Sequence, residues 1–153
     1  MSTSLLKEHE VTLSTLAEHL ENSGWDVELR VDDLVLHTTQ GLGFAVGVDG
    51  DRKFIGFFSN IRVSREFEDG YDLVNALNSE VFLPSFSIDD DNDLLINYQM
   101  SFEQGLICGQ FMRIVRRFAG MLDHVVEKFD QDQEIFVFRP SASEADTVPN
   151  TIQ

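Results

Sequence analysis

The chain has 153 residues, 27 of them Asp or Glu against 11 Lys or Arg, giving a formal net charge of −16. That length suits one ordinary domain, and 42% apolar residues with 13 Phe supply a sizeable core and exclude global disorder. A field of this sign repels phosphate backbones and anionic lipid heads, so nucleic acid and membrane surfaces are not expected as partners, whereas basic protein segments are.

In chain order, residues 1–11 read as a loosely ordered lead-in. A helix is predicted from Leu13 to Ser23, with Thr12 as N-cap, Leu13, Leu16, Ala17 and Leu20 at helical spacing, and Gly24 as a stop. Trp25, Val27, Leu29 and Val31 then alternate with charged residues, and Leu34, Leu36 and Thr38 continue the period of two. After a turn at Gln40–Gly43, the alternation of Phe44, Val46 and Val48 predicts another strand. Asp49-Gly50-Asp51 reads as a short hairpin turn. The most apolar strand runs from Phe54 to Val63. Its Phe54, Ile55, Phe57 and Phe58 put large groups on both faces, so it is central or covered on both sides. If helices of the same chain cover one face only, the other aromatic face calls for a partner.

Residues 64–69 form a polar link to a short helix from Gly70 to Ser79, striped by Leu73, Val74 and Leu77. Pro84 restarts the chain as extended. Phe86 and Ile88 lead into the acidic stretch Asp89–Asp93, beyond which Leu94, Ile96, Tyr98, Met100 and Phe102 alternate strictly, predicting a hairpin. A long amphipathic helix is predicted from Glu103 to Phe129, with Phe118 and Leu122 in the middle of its apolar stripe. Ile135 to Phe138 reads as a short edge strand, and residues 140–153 as a flexible tail.

No motif for catalysis stands out. An EF-hand loop starting at Asp89 would place Asp91 and Asp93 correctly, but it needs Gly where Leu94 stands and Glu where Met100 stands. A solvated turn is therefore expected there. His9, His19, His37 and His124 show no paired metal spacing and read as surface residues. Cys108 has no base or resolving thiol beside it in sequence and reads as a small core residue. The glycines match neither a dinucleotide fingerprint nor a P-loop, and no serine lies in GxSxG. No catalytic residue, metal or cofactor is expected, and the chain does not read as an enzyme. One cysteine cannot form an internal disulfide, no apolar run reaches the ~20 residues of a membrane span, and no secretory signal is visible. A cytoplasmic location is expected.

The order of elements, together with Gly24-Trp25-Asp26-Val27, Val74-Asn75-Ala76-Leu77-Asn78, Phe86-Ser87-Ile88-Asp89 and the run from Asp93 to Tyr98, resembles the YbjN family. These small bacterial proteins are described as sensory transduction regulators, with the fold of type III secretion chaperones. The chain departs from the family pattern at Leu77, where an aromatic is common, and in an acidic turn lacking Asp-Gly. The resemblance implies an α+β domain over residues 12–139. Its antiparallel sheet would have about five to six strands, with an N-terminal helix, a short middle helix and a long C-terminal helix. It also implies a homodimer with a chaperone-like or regulatory role, and it carries over no catalytic residues.

The expected function is binding of a partner protein's segment on an apolar sheet face by Phe54, Phe57 and Phe58. Arg113, Arg116 and Arg117 share one side of a helix turn and are the candidate anchor for an acidic partner segment. Asn75 and Asn78 are expected to cap the short helix and bond to nearby loops. The alternative function is a small-ligand sensor with a pocket between the long helix and the sheet, for which Arg113, Asn97 and Gln99 are candidate contacts.

Overall fold

The computed structural model describes residues 5–64, 67–81, 84–130 and 136–137. Three helices, α1 (Leu13–Asn22), α2 (Gly70–Glu80) and α3 (Cys108–Phe129), are set among nine strands in these described residues. These are β1 (Leu5–Leu6), β2 (Glu28–Leu29), β3 (Leu34–His37), β4 (Gly43–Asp49), β5 (Phe54–Val63), β6 (Ser85–Ile88), β7 (Asp93–Ser101), β8 (Leu106–Ile107) and β9 (Phe136–Val137). The main sheet is antiparallel, in the order β2-β3-β4-β5-β7-β6. Arg62 pairs with Asp93 on one side and Val137 on the other, so β9 continues β4's side of β5 where β4 has ended. The edge strand expected around residues 135–138 is thus present at Phe136–Val137; its two ends lie outside the described residues.

Thr12 starts α1: its hydroxyl accepts the Thr15 N–H at 3.2 Å, and the Thr15 hydroxyl oxygen accepts the Thr12 N–H at 3.1 Å. Gly24, at φ +97°, carries the chain out of the helix. The buried side chains of α1, α2 and α3 join one core with Ile55, Phe57, Ile61 and Val63 of β5. Phe57 sits at its centre, with ring centroids 6.1 Å from Phe111 and 5.7 Å from Phe118 of α3. β5 is therefore central in the sheet, flanked by β4 and β7, with the helices packed on one face.

The structure corrects three expectations. Residues 5–10, read as a loose lead-in, form β1 and a 3-10 turn at Glu8–Glu10. Pairing of Leu5 with Ile107 and Leu6 with Leu106 ties β1 to β8, and the Glu8 carboxylate accepts the Gln104 N–H and lies 3.7 Å from Lys53 Nζ. The long helix begins at Cys108, five residues later than its apolar spacing suggests. Gln104 (φ 67°) and Gly105 (φ 116°) are left-handed, and a Cβ on Gly105 would stand 3.0 Å from the Leu6 carbonyl oxygen. The β4–β5 connection is a four-residue loop, not a tight Asp-Gly turn. Asp49 pairs with Phe54, the Asp49 carboxylate accepts the N–H groups of Asp51 and Arg52, and Lys53 takes the left-handed conformation.

Candidate functional site

Strand periodicity decides which aromatics reach solvent. Ile55, Phe57, Ser59, Ile61 and Val63 of β5 face the helices, and Phe54, Gly56, Phe58, Asn60 and Arg62 face the other way. Phe58 is 40% exposed, Phe54 is half-buried, and Phe57 is 1% exposed. Phe57 therefore leaves the expected binding set and belongs to the core. The strand's register places Ala45 and Asn97 beside Phe58, and Gly47 and Gln99 beside Gly56, all on the open face.

The paired glycines leave a strip of bare backbone next to Phe58. A Cβ added to Gly56 would meet nothing within 4 Å, and one on Gly47 would only touch the Asp32 carbonyl oxygen at 3.9 Å. The resulting groove measures about 290 Å³ and is walled by Phe58, Asn97, Gln99 and the Asp32–Asp33 bend. A neighbouring depression of about 260 Å³ extends it past Gly56 to Asp49, Arg52 and Phe54. The Asp33 Oδ1 atom at this rim is buried without a hydrogen-bond partner, with Arg30 Nε 4.0 Å away. Leu29 of β2 and Val31 in the turn after it are 52% and 93% exposed. The surface thus combines apolar side chains, a side-chain-free floor and an acidic rim.

Arg113, Arg116 and Arg117 do not join this surface. All three are exposed on α3, which packs through Phe111 and Phe118 against the opposite face of the sheet. Among the described residues none of the three guanidinium groups has an ion pair. Asn97 and Gln99 line the sheet groove and lie away from α3, so the contacts suggested for a ligand pocket are split between two sides of the molecule.

The outer edge of the sheet is closed by Asn78. Its side-chain oxygen accepts the Phe86 N–H at 3.0 Å, and its amide donates to the Phe86 carbonyl at 3.1 Å. This one residue of α2 occupies the place of a further strand beside β6, which blocks pairing there. Rather than capping the short helix or bonding to a loop, as its position in the sequence suggests, the Asn78 side chain bonds to the backbone of a strand. The acidic turn is held similarly: Asp89 Oδ1 accepts the N–H groups of Asp91 and Asp93, both at 2.9 Å, and Asn92 at φ 65° turns the corner.

Sequence reasoning found no base near Cys108, yet His19 of α1 brings Nε2 to 3.6 Å from its Sγ. Burial pushes the Cys108 thiol up, so it stays protonated at neutral pH. Iodoacetamide should accordingly alkylate the folded protein at pH 7.5 at least about tenfold more slowly than the same chain in urea. Equal rates, followed by mass spectrometry, would show an accessible thiolate.

The sequence profile of YbjN, described as "Putative bacterial sensory transduction regulator", matches residues 12–131. The chain belongs to the YbjN family. The crystal structure of YbjN from E. coli is similar with a TM-score of 0.71 at 19% identity, over 87% of this chain and 99% of that one. Two chaperone structures share the fold. The HopA1–SchA chaperone–effector complex gives a TM-score of 0.53 at 14% identity, over 77% of this chain and 90% of its own. The Yersinia pestis type III secretion chaperone SycH, in complex with a stable fragment of YscM2, gives 0.50 at 15% identity, over 74% and 96%. No curated protein sequence matches the chain. The YbjN fold seen here is thus the α+β fold that these chaperones share. Among the described residues of this YbjN member, no helix is long and apolar enough to cross a membrane.

Proposed function

We propose that the protein is a non-enzymatic, chaperone-like regulator of the bacterial cytoplasm. It holds an extended segment of a partner protein on its open sheet face. The observation that carries this reading is the Phe54–Gly56–Phe58 strip with its bare glycine floor and acidic rim. An apolar partner side chain settles on Gly56 between the two phenylalanines, and a neighbouring Lys or Arg reaches Asp32, Asp33 and Asp49. Because Asn78 blocks the β6 edge, binding uses the face and its side-chain pockets. Self-association into a homodimer is assigned to the β1–β8 ribbon, where the paired Leu5 and Ile107 are 62% and 40% exposed. Arg113 and Arg117 form a separate, basic contact surface on the far side.

Gly56→Val tests this directly. A Cβ there meets nothing within 4 Å, and valine improves strand propensity by up to about 1 kcal/mol, so the variant should fold while its side chain fills the groove. A photoreactive amino acid at position 58, introduced in native cells, should trap one dominant polypeptide that a crosslinker at Glu127 of α3 does not. Gly56→Val should abolish that crosslink without lowering the thermal midpoint. Identical crosslinks from positions 58 and 127, or capture unaffected by the valine, would overturn the reading.

A further inference from the structure

A second concavity lies on the helix side of the molecule, between α3, the chain leaving α1 and the end of β3. It measures about 610 Å³, and its chemistry comes from Trp25, Asp26, His37, Arg116 and Asp123. Arg116, Ala119, Gly120 and Asp123 recur at three, four and seven positions, so they share one flank of α3. The backbones that carry Arg116 and Asp123 stand about 10 Å apart along the helix axis, and the two small residues leave the space between them open.

The carboxylate is held in place. The buried Thr38 hydroxyl donates to Asp123 Oδ1 at 2.6 Å and itself accepts the Leu42 N–H at 3.1 Å. Among the described residues the other Asp123 oxygen has no hydrogen-bond partner. Arg116 makes no ion pair within 4.0 Å among the described residues, although Asp26 and Asp123 line the same space. Trp25 forms one wall, its ring set edge-on to Phe44 with centroids 6.3 Å apart.

We propose that this cleft binds a short linear peptide of about three residues with both termini free. Its ammonium lies between Asp26 and Asp123 against the Trp25 ring, and its carboxylate lies on Arg116. A free amino acid is too short for this spacing, since its two charges are separated by one residue. An extended tripeptide spans about 10 Å at roughly 3.3–3.6 Å per residue. The site is distinct from the sheet groove, and the inference does not rest on the proposal made there.

Trp25 is the chain's one tryptophan, so its fluorescence reports the cleft directly. Titration of the full chain with alanyl-leucyl-alanine should give a saturable change in emission. N-acetylating or C-amidating that peptide should each weaken binding by about tenfold or more. Arg116→Gln should erase the discrimination against the amidated peptide while leaving that against the acetylated one. Asp123→Asn, which can still accept the Thr38 hydroxyl, should do the reverse. No saturable change up to millimolar peptide, equal affinity for the doubly capped peptide, or equal affinity for free leucine would each overturn the proposal.

Discussion

Phe118→Ala should lower stability by about 3–5 kcal/mol, read as a fall of roughly 1–3 M in the urea midpoint. Phe118 is fully buried, with ring centroids 5.4 Å from Phe44 and 5.7 Å from Phe57, so it joins α3 to two adjacent strands at once. Truncation removes the transfer energy of the ring and leaves a cavity that a twenty-two-residue helix, anchored above and below by Val115 and Leu122, cannot close by sliding. Against a typical total of about 5–15 kcal/mol this loss is large enough to unfold a fraction of the chain near physiological temperature. The contrast is Phe58→Ala. With 40% of that residue already in solvent, the change should cost less than half as much. Equal costs at the two positions would mean that the faces of β5 are assigned the wrong way round.

Asn78→Ala should destabilise by about 1–3 kcal/mol through the lost bonds to Phe86, offset by roughly 0.5–0.7 kcal/mol from alanine's better helix propensity. The larger effect is on association. Removing the amide frees an N–H and a carbonyl on an edge strand whose neighbouring core residues, Phe86 and Ile96, are apolar and buried. Such an edge templates pairing with another chain. Light scattering at tens of micromolar should therefore show oligomers absent from the parent. Gln at the same position, one methylene longer, should not rescue the edge. A monodisperse Asn78→Ala protein with unchanged mass would show that the edge is protected by other means.

Local signals were read well where one residue controls its own neighbourhood. The Thr12 cap, the alternation from Leu94 to Phe102, and the hairpin around Asp89–Asp93 all emerge where their side chains dictate them. The start of α3 was not legible, because apolar spacing runs through residues 103–107 while the backbone turns left-handed at Gln104 and Gly105. What holds residues 106 and 107 as a strand is Leu5 and Leu6, about a hundred positions away. The faces of β5 were obscured by Ser59, a polar residue on the core side. It is accommodated there because its hydroxyl donates to the Gly43 carbonyl at 2.8 Å. With large apolar groups on both faces and a polar residue on the inner one, spacing alone does not tell Phe57 from Phe58. Contacts such as His19 with Cys108 and Thr38 with Asp123 leave no trace in local spacing, since 89 and 85 positions separate the partners.

The position of α3 in the chain has a consequence for biosynthesis. Every strand whose inner face it covers, from β3 to β7, leaves the ribosome before residue 108 does. Until residues 108–129 are made, the nascent sheet presents Phe44, Ile55, Phe57 and Ile96 to water without the cover of α3. The β1–β8 ribbon likewise has to wait for residues 106–107, because it bridges the two ends of a loop of about a hundred residues. A protein of chaperone-like fold is thus itself exposed to misassembly until α3 has been made, with α3 as the lid that completes it.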